Sequence, residues 1–293
     1  MTPVGIVTGT PLGRALATRL RSDGREIFSG GEDALAEVAR ARLIVIDAEP
    51  SQLRSIARAL GDLLDGDRLL AHTVRGLTPD GAGPIEAIRQ ETPVLRIGVL
   101  AGPIAIADLD AGRPTAAVIA SRHPEVVDEL AVALSTPHLR VYRGRDPVGV
   151  ELASALDDLI TVGCGLAEGL ALGAPARAVM MVRCVRELGR LIGALGGDPA
   201  TAVGLAGLGD VLVQGADSES EPFLAGLALA HGKKLSPTGR LAELLSTASR
   251  VRALVGRHRV SAHVLDGIAR LVAGETAGAE LVTRLMTLPV LDE

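Results

Sequence analysis

Two short stretches of this sequence set glycines beside polar groups in ways that suit a charged ligand. The first reads Thr8-Gly9-Thr10-Pro11-Leu12-Gly13, between an apolar run and a helical pattern. A strand-to-helix turn of this kind gathers free N–H groups and the positive end of a helix dipole at one point, where a diphosphate can sit. Gly9, Thr10 and Gly13 are therefore candidate cofactor-binding positions. Gly13 stands at the third glycine of a dinucleotide turn, whereas Thr8 and Thr10 stand at the first two and bring Cβ atoms toward the diphosphate. The same turn also reads as a plain strand-to-helix connection kept without a nucleotide. The second stretch, Gly204-Leu-Ala-Gly-Leu-Gly-Asp210, sets small residues against a carboxylate.

Around these stretches the other reactive side chains are sparse. A ribose-holding acid is due about 20 residues past the glycines, where the chain offers Glu32 or Asp33; Asp33 reads equally as the N-cap of a helix over 34–41. The six histidines are scattered without metal or triad spacing and read as structural or surface residues; His72, three residues before Arg75, has facing a cleft as its second reading. Cys164 and Cys184 have neither metal nor redox spacing, so no metal site is expected. Cys164, between Gly163 and Gly165, reads as a point of close helix approach. The arginine-rich stretch 250–259 reads as a solvated helix face or loop.

These residues need a scaffold, and the first half of the chain supplies an alternating one. Aliphatic runs at 3–9, 26–29, 42–49, 67–74, 94–101, 116–121 and 139–143 predict strands, with helical spacing over 12–20 and 52–64 between them. Such alternation predicts a parallel sheet wrapped by helices, with Gly24 as the left-handed stop of the first helix. From about residue 148 only helical periodicity remains, as in Leu152, Leu156, Leu159 and Ile160, then Val179, Val182 and Val185, then Leu265, Ile268 and Leu271. The expected fold is α/β: an N-terminal doubly wound parallel sheet over 1–146, followed by an all-helical domain over 147–293.

Composition narrows the class. The 293 residues are 47% hydrophobic and 22% charged, with a formal net charge of −5, and no long basic tract, which argues against nucleic-acid binding. No apolar stretch reaches the length of a membrane span. The N-terminus runs straight into a strand without a leader, so a cytoplasmic protein with reduced thiols is expected. With Phe28, Tyr142 and Phe223 as the only aromatic residues, aliphatic side chains must fill the core.

Three phrases carry a resemblance that covers essentially the whole chain: Gly-Val-Glu-Leu-Ala-Ser-Ala-Leu at 149–156, Gly-Leu-Ala-Glu-Gly-Leu-Ala-Leu-Gly-Ala-Pro-Ala-Arg-Ala at 165–178, and the stretch at 204–210. In order and spacing they resemble the NAD(P)-dependent glycerol-3-phosphate dehydrogenases. The resemblance implies a Rossmann-like first domain, a helical substrate domain, NAD(P) and a small-molecule substrate in the cleft between them, and a possible homodimer.

Residue by residue, the resemblance marks departures. The family's Lys-Gly pair after the fourth strand corresponds to Arg75-Gly76, which keeps the charge. Its second lysine, acid and base beside the reacting carbon, corresponds to Asp157, with Asp158 in place of an asparagine. General acid–base help of this kind is worth roughly 10² to 10⁴ in rate, and a carboxylate there opposes a developing alkoxide. Asp210 matches the family's active-site aspartate and also reads as half of a buried pair. Glu151 and Arg177 match further family positions. A family threonine is Gln214 here, and an Arg-Asn pair that grips phosphate and cofactor is Glu221-Pro222, which offers neither positive charge nor a side-chain amide. The candidate catalytic residues are Arg75, Asp157 and Asp210, and Glu221 joins the cofactor-binding candidates.

Overall fold

The structure is a computed structural model that describes residues 2–236 and 239–287; the predicted helical domain's last residues lie outside that span. The seven aliphatic runs form seven strands: β1 (Val4–Thr8), β2 (Ile27–Gly30), β3 (Leu43–Asp47), β4 (Leu69–His72), β5 (Ile97–Ala101), β6 (Thr115–Ser121) and β7 (Leu139–Gly144). They make one sheet in the order β2-β1-β3-β4-β5-β6-β7. Neighbours are parallel, as expected for a doubly wound sheet, except β5 and β6, which are antiparallel. The connection from β5 to β6 holds only the short helix α5 (Ile106–Asp110 in chain order, after four others). The five-residue helix rises only about 7 Å, too little to carry the chain back along β5, so β6 starts at the end where β5 stops, whereas a parallel crossover usually has a full helix.

The helices before α5 are α1 (Pro11–Ser22), α2 (Leu35–Val38), α3 (Leu53–Gly61) and α4 (Pro84–Glu91), and α6 (Pro124–Leu134) follows it. Helices cover both faces of the sheet. Ile6, Val45 and Leu69 pack with Leu16 and Leu20 of α1 and with Leu130 and Leu134 of α6, while Ile44, Ile46 and Leu70 pack with Ile56 and Leu60 of α3 and with Ile88 of α4. Burial on both faces is why β3 reads as an unbroken apolar run rather than an alternating one. Gly24 ends α1 with φ +83, as predicted. Asp33 is not an N-cap: it lies inside a 3₁₀ turn (Glu32–Ala34), and the helix after it is the four-residue α2, capped by no side chain.

Beyond β7 the described residues hold helices and no strand: α7 (Pro147–Gly169), α8 (Gly173–Ala194), α9 (Asp210–Gln214), α10 (Glu221–Ala230), α11 (Arg240–His258), α12 (His263–Val272) and α13 (Gly278–Met286). Asp146 starts α7. Its carboxylate accepts from Gly149 N and, from a loop beyond α8, from Asp198 N and Thr201 Oγ1. α7 is buried along nearly its whole length among α8, α10 and α12, and Leu152, Leu156, Leu159 and Ile160 all lie in that core. A Cβ at Gly165 would stand 1.9 Å from Phe223 O on α10, so the Gly-Cys-Gly segment does mark a close helix approach. The predicted periodicity of α8 is only half buried: Val185 is in the core, whereas Val179 is 59% exposed. Arg250 and Arg252 are also not simply solvated, since Arg250 donates to Leu77 O and Arg252 pairs with Glu275. Among the described residues no helix is long and apolar enough to cross a membrane.

Candidate functional site

The ends of β1, β3 and β4 and the helices α5, α7 and α9 to α11 surround a cleft of about 760 Å³. Open α/β sheets bind ligands outside the carboxyl ends of their strands, and the cleft lies there. Thr10, Arg75 and Glu221 line it, and so does Gln214. Gly9 and Gly13 lie behind the lining, packed on β3: a Cβ at Gly9 would meet Asp47 O at 2.4 Å, and one at Gly13 would meet Asp47 Oδ2 at 2.5 Å.

Arg75, three residues beyond β4, points to two carboxylates from the helical half. Its Nη2 donates to Asp157 Oδ2 at 2.6 Å and to Asp210 Oδ2 at 2.9 Å. Asp157 and Asp210 are both 0% exposed, and Arg75 is the part of the cluster that reaches the cleft. The glycine-rich phrase explains Asp210's position: residues 205–209 form a π-helical turn, and a Cβ at Gly207 would lie 2.2 Å from Ala202 O. Next to this trio, Arg240 of α11 holds both oxygens of Asp158.

Burial would lower the Arg75 guanidinium, but the charges of Asp210, Asp157 and Asp158 outweigh it and hold the group charged. Burial, with Asp210 beside it, pushes the Asp157 carboxyl well above the usual range despite Arg75. Burial raises Asp210 as well, against Arg75 and a hydrogen bond from Gln214. Burial would also raise Asp158, yet Arg240 and Arg75 hold it below its ordinary value. Two guanidinium groups against three carboxylates leave one negative charge in excess, so a proton on the Asp157–Asp210 pair makes the cluster neutral.

The cleft as a whole is acidic. Asp47, Glu49, Asp110, Asp158, Asp217, Glu221 and Glu243 line it, against Arg75 and Arg240, which are already paired. Burial raises Glu49, and Glu243 and Asp47 push it the same way. Asp47 and Glu49 were missed as candidates. The one signal for Asp47 was a carboxylate closing the run Leu-Ile-Val-Ile at the end of β3, where an apolar residue or a turn would be ordinary. No local signal pairs Arg240 with Asp158, which are 82 residues apart.

His72 takes the structural one of its two readings. His72 is 0% exposed and does not face the cleft. Val74 N donates to its Nδ1, so Nε2 carries the hydrogen and donates to Glu151 Oε1 at 3.0 Å. Glu151 accepts from Ile85 N as well, which makes it a fastener between α7 and the sheet half. Arg177 lies outside the cleft lining and reaches Glu168 at 3.4 Å.

A dinucleotide does not fit the residues at the start of α1. Leu12 N donates to Thr10 Oγ1, and Thr10 N donates to Asp47 Oδ2 at 2.6 Å. Two of the donors that would receive a diphosphate, Thr10 N and Leu12 N, are occupied by the protein itself. Glu32 and Asp33, the acids considered for a ribose, are exposed and outside the cleft lining.

Comparisons with known proteins agree on descent. A family model described as the C-terminus of NAD-dependent glycerol-3-phosphate dehydrogenase matches residues 146–283. A glycerol-3-phosphate dehydrogenase [NAD(P)+] of Rhizobium etli (strain CIAT 652) is 33% identical over 269 residues, 91% of this chain and 81% of that one. One from Deinococcus radiodurans is 34% identical over 237 residues, 81% of this chain and 70% of that one. The crystal structure of glycerol-3-phosphate dehydrogenase from Coxiella burnetii superposes with a TM-score of 0.87 at 24% identity, covering 98% of this chain and 99% of that one, a likeness of fold. Shared identity along nine-tenths of the chain, carried on the same sheet and helices, makes this protein a member of the NAD(P)-dependent glycerol-3-phosphate dehydrogenase family.

Proposed function

We propose that the chain keeps the family's scaffold and cleft but no longer supports hydride transfer with glycerol 3-phosphate, and that the cleft takes a small ligand without phosphate. The observation that carries this reading is Arg75, clamped by Asp157 and Asp210. In this reading Arg75, Asp157 and Asp210 occupy the reacting centre, while Gly9, Thr10, Gly13 and Glu221 border the cofactor side. A phosphorylated three-carbon substrate needs free positive charge and N–H donors; here both cations lining the cleft are taken, and Glu221 and Glu243 face it. An alkoxide forming at the reacting carbon would meet carboxylates rather than an ammonium, which removes electrostatic help instead of supplying it. The sheet half (1–146) and the helical half (147–293) serve as two domains that close on the ligand.

The test is turnover of dihydroxyacetone phosphate with NADH, followed by loss of NADH absorbance. The rate should fall at least about 10² below that of an active relative, the low end of lost acid–base help. Turnover at the relative's rate overturns the reading.

A further inference from the structure

The start of α1 holds a second departure, independent of the Arg75 cluster. Asp47 ends β3 and is 1% exposed, yet its carboxylate faces the cleft. It takes Thr10 N at 2.6 Å and Thr10 Oγ1 at 3.1 Å from the helix start, and Thr73 Oγ1 at 2.7 Å from beyond β4. The 12-residue helix α1 presents about half a positive charge at this end, and one buried carboxylate already answers it. Gly13 leaves the space that the carboxylate fills, since a Cβ there would touch Asp47 Oδ2, Cβ and Cγ within 2.7 Å.

We infer that Asp47 is a resident anion that takes the place of a dinucleotide diphosphate at the N-terminus of α1, and is the residue that excludes the cofactor. This rests on the reading that the cleft has left its family's chemistry, and it assigns that exclusion to one side chain. Thr8 and Thr10, whose bulk the sequence first suggests as the obstacle, then play a secondary part, since Thr10 serves as the N-cap and hydrogen-bonds Asp47. A diphosphate entering there would face the carboxylates of Asp47 and Glu49 and find Thr10 N and Leu12 N already bonded.

The experiment uses wild type, Asp47→Ala and the near-isosteric Asp47→Asn, with inorganic pyrophosphate and NADH as probes. Thermal unfolding and NADH fluorescence are read on each. Asp47→Ala should unfold at lower temperature than wild type, regain stability with pyrophosphate, and bind NADH at least about tenfold more tightly. Asp47→Asn should show a smaller gain. Wild type should respond to neither probe. A folded Asp47→Ala that gains nothing, or a wild type that binds NADH as tightly as the variant, overturns the inference; if Asp47→Ala does not fold, the presence or absence of a gain in Asp47→Asn decides. The two readings fail separately. NADH binding by wild type without reduction of dihydroxyacetone phosphate removes the role of Asp47 alone, whereas ordinary wild-type turnover removes the functional reading.

Discussion

Glu151 on α7 reaches His72 on β4, with Oε1 3.0 Å from Nε2, and the same oxygen takes the backbone N–H of Ile85 at 2.7 Å. A single carboxylate oxygen thus joins the helical half to two separate segments of the sheet half. Glu151→Ala leaves a fully buried imidazole N–H without an acceptor and should cost about 2 kcal/mol. Glu151→Gln keeps one oxygen for both donors and loses only the charge, so it should cost less. Urea unfolding of the three proteins measures the difference, and equal stabilities would show that the contact contributes nothing.

Arg75 is the only cation in contact with Asp157 and Asp210 among the described residues. Arg75→Ala strands two buried carboxylates and should cost about 3 kcal/mol, the range for breaking a buried pair from one side. Arg75→Ala combined with Asp157→Asn should recover part of that loss, because one of the stranded charges is gone. A double-mutant cycle by denaturant unfolding gives the coupling; additive losses would mean that the pair does not interact.

The same cluster sets a pH dependence. Burial raises both Asp157 and Asp210, so the folded protein binds more protons than the unfolded chain between the ordinary aspartate value and the raised ones. Stability from this source is therefore complete below the unfolded value and declines as pH rises through the folded values. Asp157→Asn, permanently neutral, should flatten the decline. Melting temperatures across pH 4 to 8 for wild type and variant test this, and parallel curves would contradict it.

The α7–α10 contact makes a prediction without charge. Gly165→Ala places a methyl where Phe223 O stands, at 1.9 Å, and should destabilise by at least about 2 kcal/mol through forced separation of the two helices. Gly24→Ala, where nothing lies within 4 Å and only the left-handed backbone objects, should cost about 1 kcal/mol. Thermal unfolding ranks them, and the reverse order would refute the packing account.

The strands were legible because each aliphatic run is bounded by residues that end strands, and all seven occur where the runs are. The direction of β6 was not legible: an apolar run carries no sign of its polarity, and it is decided by the shortness of the five-residue helix α5 between β5 and β6. The site was legible as segments. Residues 8–13, 149–158 and 204–210 each contribute to it, because turns and small residues leave local marks. The pairing between them was not legible. Arg75 meets Asp157 and Asp210 across 82 and 135 residues, and no local spacing encodes such a contact. Asp33 failed as a cap because the chain tightens into a 3₁₀ turn before the helix starts.

Within its 23 residues α7 carries Glu151, Asp157, Asp158 and Gly165, each aimed at a different neighbour, and just before it stands its cap, Asp146. An α-helix advances by 100° per residue, so the helix works like a camshaft whose lobes share one timing. One residue inserted between Glu151 and Asp157 would leave the latch to His72 in place while swinging both aspartates and Gly165 out of phase with Arg75, Arg240 and Phe223. Length changes should accumulate in the bend at 215–220 and be purged from this shaft.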